Sequence, residues 1–262
     1  MCVVPESATD TPRVSMGFGM GFLQRAWFLA LPIALVAGGL SRRVGHRSAS
    51  AHGPEPRRPA DDRLVLYVPH LRGSILLDGD TDDPGWTAPP GPARTGPFVR
   101  ANGAPSRPYS DARLVWGDGH LYVVLYAADA DIRAHAREAD GPVWLDDSFR
   151  LTFARLDVAY AIDVSAVGVV ADAVRKPGGG FDYAWTSGAH VSHEQDGTTN
   201  DATDIDEEWL VEMAIPLESV GLRGERGERI GFAVRRCDVR EGAVPVCAGW
   251  GEAPLSGEVI LD

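Results

Sequence analysis

The stretch "RLVWGDGHLYVVLYAADADI", from Arg113 to Ile132, places two runs of strand-forming residues on either side of Gly117-Asp118-Gly119. β-Branched and aromatic side chains fit a pleated, half-buried surface, and glycine with aspartate supplies the positive-φ conformations of a tight turn. The stretch therefore predicts an antiparallel hairpin. The same pattern continues on both sides. "DSFRLTFARL" (Asp147 to Leu156) alternates, with Phe149, Leu151 and Phe153 on one face and Arg150, Thr152 and Ala154 on the other. "YAIDVSAVGVVADAV" (Tyr160 to Val174) reads as strand, turn near Gly168, strand, and "EEWLVEMAIPLESVGL" (Glu207 to Leu222) gives a strand whose Trp209, Val211 and Met213 share a face. "RIGFAVRRCDV", "VPVCAGW" and "GEVIL" follow. Many short strands with turns between them and no sustained helical period predict an all-β fold, an antiparallel β-sandwich of immunoglobulin-like or jelly-roll-like type, with a closed barrel as the alternative.

The chain has 262 residues, 44% hydrophobic and 24% charged, enough to bury one sizeable core over residues 64–262. Before that domain, "AWFLALPIALVAGGL" (Ala26 to Leu40) is an apolar run of 15 residues, shorter than the roughly 20 that cross a bilayer comfortably. With Arg25 before it and "ASA" at Ala49 to Ala51 after it, residues 1–47 read as a signal peptide or a membrane anchor. Arg42, Arg43, Arg47, Arg57 and Arg58 follow the run, and the positive-inside rule would hold them on the cytoplasmic side, against export. Residues 48–63, small, polar and rich in proline, read as a disordered linker. Export to the periplasm, cell envelope or exterior is expected, with the N-terminal segment in contact with membrane if it is retained.

Net charge is −12, and beyond residue 60 there are 18 basic against 34 acidic residues. Nucleic acid, which needs a basic surface, is excluded as a partner. Cys237 and Cys247 flank "DVREGAVPV" with Gly242 at its midpoint. A hairpin turning there sets the two sulfurs opposite one another, as a disulfide or as two buried thiols.

The chain carries no GxSxG, Walker or post-strand GxGxxG motif, so no catalytic constellation is visible and an enzyme is not expected. Asp146 and Asp147 are adjacent in a strand and face opposite ways, which rules them out as a glycosidase pair. They are expected to shape the loop or hold a cation there. "LDGDTDDPGW" spaces Asp78, Asp80 and Asp82 like the start of an EF-hand, but the sixth and twelfth positions hold Asp83 and Pro89 where glycine and glutamate are needed. An irregular calcium site using Asp78, Asp80 and Asp83 competes with a solvated turn. His190 and His193 in "HVSHE" lie in a strand, where residues three apart face opposite ways. A b-type haem, the electron-transfer alternative, needs an axial Met or His, and the one methionine of the domain, Met213, sits on an apolar strand face. Trp116 and Trp209 lie within strands and are expected in the core, whereas Trp144 and Trp250 lie at strand ends beside small or polar residues, where a ring can stand in solvent.

Taken in order, "ILLDGDTDDPGW", "ARLVWGDGHLYVVLYAADADI", "VWLDDSFRLTF", "YAIDVSAVG", "EEWLVEMAIPLESVG" and "GERIGFAVRRCDV" resemble the family 9 carbohydrate-binding modules, over Ile75 to Asp262. The resemblance implies a non-catalytic β-sandwich that binds oligo- or polysaccharide in polysaccharide catabolism, often with structural calcium. It places a sugar between two tryptophans, Trp144 and Trp250, with polar contacts from Arg150 and Asp163. Arg150 stands where the family commonly has an acid, and Asp163 near where it has an arginine, so the charges are exchanged. A structural envelope protein without a small ligand is the remaining alternative.

Overall fold

The computed structural model describes residues 64–240, 242–252 and 256–262. The N-terminal segment and the linker, residues 1–63, lie outside the described residues. In chain order the elements are β1 (Leu64–Val68), a one-turn helix α1 (Pro84–Thr87), β2 (Ala93–Arg94), β3 (Ser110–Gly117), β4 (His120–Ala128), β5 (Ser148–Arg155), β6 (Val158–Ser165) and β7 (Val170–Arg175). They continue with β8 (Phe181–Asp182), β9 (His190–Asp196), β10 (Glu208–Pro216), β11 (Arg229–Asp238), β12 (Val246–Trp250) and β13 (Gly257–Leu261).

The expected first hairpin is β3–β4. Gly117 pairs with His120, and the two residues between them, Asp118 and Gly119, both take positive φ, 51° and 79°, the requirement of a mirror-image two-residue turn. The strands form two sheets. The smaller has the order β2-β3-β4-β10-β9; the larger runs β1-β13-β11-β5-β6-β7-β8, with β12 added to β11. All pairs are antiparallel except β1 with β13, which are parallel. The fold is a β-sandwich, mixed in its larger sheet at that one pairing.

The core lies between the sheets. Phe149, Leu151 and Phe153 of β5, Ile162 of β6 and Phe232 of β11 meet Trp209, Val211 and Met213 of β10 and Leu121, Val123 and Leu125 of β4, all buried. Phe149 packs edge-on to Trp209 across the gap, ring centroids 4.9 Å apart. Met213 is fully enclosed there, as a core residue.

The outer face of the smaller sheet is covered. Glu212 points outward from β10, and its carboxylate accepts hydrogen bonds from the N–H groups of Asp78 and Gly79 and from Trp86 Nε1 at 2.8 Å. These bonds clamp the segment before β2 over Val115 and Val124, and burial pushes the Glu212 carboxyl above its ordinary pKa. On the outer face of the larger sheet Arg150, Thr152 and Arg235 stay partly exposed. That face positions the candidate site.

Candidate functional site

Arg150 and Asp163 are direct partners across β5 and β6. Side chains opposite one another in an antiparallel pair are neighbours on the same face, so the alternation that sends Phe149 and Leu151 inward sends Arg150 out beside Asp163. The guanidinium donates two hydrogen bonds to the carboxylate, Nε to Oδ1 at 2.6 Å and Nη2 to Oδ2 at 2.7 Å. This fork geometry is the strong, directional form of the pair. Hydrogen bonding to Asp163 raises the Arg150 pKa despite partial burial.

Trp144 lines the same surface hollows as this pair. It belongs to a single 3-10 turn, Val143–Leu145, in which Val143 is buried while Trp144 is 49% exposed. The two following aspartates hold the turn in place. Asp146 accepts from the N–H groups of His135 and Ala136, each at 2.9 Å, and Asp147 accepts from Arg133 at 2.6 Å and Val239 at 2.7 Å. Both are buried and shape the loop. Nothing in their geometry suits acid–base work on a ligand at the open face.

Ala161, Ala171 and Ala173 on β6 and β7 leave a shallow floor beside the pair. Over it lies a cavity of about 110 Å³ lined also by Trp144, Arg150, Asp163, Phe181 and Tyr183. A second cavity, of about 300 Å³, shares Trp144, Arg150 and Asp163 and extends to Ser148, Arg235 and Cys237. The two share Trp144, Arg150 and Asp163, and together they outline a groove on the outer face of the sheet. Cys237 and Cys247 are direct partners in β11 and β12 and form a disulfide, Cα atoms 4.1 Å apart, so the open choice between disulfide and thiols resolves to the disulfide.

Trp250 is not in this groove. It is only 8% exposed and packs in the core beside Phe232, ring centroids 6.1 Å apart. The register is the reason. Trp250 pairs with Val234, which is fully buried, and paired residues share a face. A Cβ at Gly257 would lie 2.5 Å from Trp250 Cζ3, so the glycine makes room for the ring. The expectation that Trp250 stands in solvent opposite Trp144 is thereby corrected. Of the four expected binding residues, the structure brings Trp144, Arg150 and Asp163 together and leaves Trp250 out. Phe181, Tyr183 and Arg235, which line the groove, were not singled out from the sequence. The signal for the first two was the "GGGFDY" run, a glycine turn followed by aromatics at i and i+2, which share a strand face.

Asp78, Asp80 and Asp83 do not converge on one point. Asp78 accepts from the N–H of Asp80, Asp80 from that of Thr81 and Asp83 from that of Leu76, so each carboxylate fastens its own turn. Among the described residues, the three carboxylates that do converge, within 4.8 Å, are the buried Asp129, Asp147 and Asp238. Arg236 already supplies their cation: its Nη2 lies 2.6 Å from Asp129 Oδ2, while its Nη1 donates to Ala128 O and Ser110 Oγ. Asp129 also accepts from Trp209 Nε1, and both Asp147 oxygens accept backbone N–H bonds. Calcium takes six to eight oxygens, and this set, with a guanidinium seated on it, does not fit one. His190 and His193 lie in β9, three residues apart and on opposite faces.

No protein-family model matches the chain, and no curated protein does. Solved structures are similar in fold. A Bacteroides uniformis protein thought to bind carbohydrate superposes with a TM-score of 0.62 at 15% identity, covering 76% of this chain and 100% of its own. A family 9 carbohydrate-binding module of Caldicellulosiruptor kristjanssonii, in complex with cellotriose, gives 0.51 at 18% identity over 76% of this chain and 93% of its own. The same kind of module in complex with glucose gives 0.52 at 19% identity, over 76% and 95%. The fold is similar to that of the family 9 carbohydrate-binding modules. Within that family 9-like sandwich, Trp144 keeps an exposed position, and the partner tryptophan expected from the resemblance is a core residue.

Proposed function

We propose that this protein binds carbohydrate, without catalysis, in the groove on the outer face of its larger sheet. The observation that carries the reading is an exposed indole, Trp144, lining one cavity with a forked Arg150–Asp163 pair and a floor of alanines. The C–H face of a pyranose stacks on a flat apolar ring, and hydroxyl groups need fixed donors and acceptors beside it. Arg150 and Asp163 orient one another and present their remaining donor and acceptor capacity to the ligand. The likeness in fold to modules in complex with cellotriose and glucose supports a glycan as the ligand class. Stacking here is on one tryptophan and not between Trp144 and Trp250.

We place the protein outside the cytoplasm, at the cell envelope or beyond it, in polysaccharide catabolism. The Cys237–Cys247 disulfide supports an oxidising compartment, and the apolar run from Ala26 to Leu40 supports export. The test of binding is a screen of soluble oligosaccharides and insoluble polysaccharides against the wild type and Trp144→Ala. Binding that Trp144→Ala removes is expected; binding that survives it moves the site elsewhere, and no binding to any glycan refutes the reading.

A further inference from the structure

The groove does not end at Trp144. Its two cavities lie on opposite sides of the Arg150–Asp163 pair, one toward β7 and β8 and the other toward β11. Strands in a sheet stand about 4.8 Å apart, so the path from β11 across β5, β6 and β7 to β8 is roughly 19 Å long. That is several times the width of a pyranose ring. At the β8 end the groove is walled by aromatics. Phe181 pairs with Arg175 of β7, which sets it on the outer face with Ala171 and Ala173, and Tyr183, in the turn after β8, lines the same cavity. They are 47% and 62% exposed, their ring centroids 6.3 Å apart, and both line the cavity that Trp144 lines.

We infer that the groove takes a glycan chain of two or more rings laid across the strands, with Phe181 and Tyr183 as a second stacking platform in addition to Trp144. This rests on the carbohydrate reading of the groove and deepens it: the ligand is a length of chain, not one ring enclosed between two indoles. Trp144 and the Arg150–Asp163 pair grip one ring, and the β8 aromatics hold a neighbouring ring of the same chain. The Tyr183 hydroxyl adds a hydrogen-bonding group at that end.

The experiment is calorimetry of the full chain with cello- and xylo-oligosaccharides from the monosaccharide to the hexasaccharide. Wild-type affinity is expected to rise with chain length. Tyr183→Ala and the double variant Phe181→Ala/Tyr183→Ala are expected to lose that rise, about tenfold in affinity for the longer chains. Tyr183→Phe, which keeps the ring, should retain most of it. Thermal denaturation of each variant shows that it is folded, and the single variant serves if the double one is not. Affinity that is flat with length, or that rises equally in Tyr183→Ala, overturns the inference. If Trp144→Ala abolishes binding in that case, the carbohydrate reading stands without it, whereas a wild type that binds none of these sugars overturns both.

Discussion

The Arg150 guanidinium and the Asp163 carboxylate meet through two bonds, at 2.6 and 2.7 Å, on the outer face of the sheet. The pair has the reverse charge order to the one that the family resemblance implies, and the register of β5 on β6 preserves it as a pair. Arg150→Lys keeps the charge but loses the planar fork. It is expected to weaken glycan binding about tenfold, ~1.4 kcal/mol, with little change in folding stability. Exchanging both residues, Arg150→Asp with Asp163→Arg, should restore the pair and part of the affinity, and calorimetry of the two variants beside the wild type reads this directly.

Trp144 and Trp250 are expected to separate cleanly. Trp144→Ala, at an exposed turn, should change stability by no more than about 0.5 kcal/mol while removing ligand affinity. Trp250→Ala empties a core site and should cost about 3–5 kcal/mol. Urea denaturation beside binding measurements checks both, and a Trp250→Ala protein of wild-type stability would contradict its placement in the core.

Burial and the neighbouring Asp129 carboxylate push the Asp147 carboxyl up to about 8. Asp129, Asp238 and Arg236 are among the charged groups around it, and Arg236 acts in the opposite sense. In the unfolded chain this group titrates near 4. Between those values the folded state holds a proton that the unfolded state has released, so this carboxyl's contribution to stability is fully present below about pH 4 and falls as pH rises toward 8. Unfolding free energy measured at pH 5 and pH 8 should therefore fall more in the wild type than in Asp147→Asn. Equal slopes would show that Asp147 is ionised throughout.

Because Arg236 occupies the place of a cation among Asp129, Asp147 and Asp238, the fold should not depend on calcium. Melting temperature is expected to be the same in EDTA and in millimolar calcium. A specific ion that bound only the folded state would raise it by mass action, and such a rise would restore the calcium that the resemblance implies.

The strands were legible because alternation is a local signal. Phe149, Leu151 and Phe153 announce their face within seven residues, and Gly117-Asp118-Gly119 announces the turn before β4. Placement of Trp250 was also within reach. Once Cys237 is set opposite Cys247, counting three residues along each strand sets Val234 opposite Trp250, and Val234 shares a face with Phe232. Reading the small residues around Trp250 as a sign of exposure overlooked that register. The β8 platform was harder, since a two-residue strand gives periodicity too little length. The convergence of Asp129, Asp147 and Asp238, from the ends of three different strands or loops, depends on tertiary pairing that no local pattern encodes.

The parallel union of β1 with β13 has a mechanical consequence. Leu64 pairs with Gly257 and Val68 with Leu261, so the first residue of β1 and the last of β13 lie at opposite ends of the same ladder. Tension applied at Leu64 and Asp262 therefore runs along the strands and loads their rungs together, in shear, where a hairpin pulled at its ends would unzip one rung at a time. In a single-molecule pulling experiment this direction should resist more than force applied across β7 and β8.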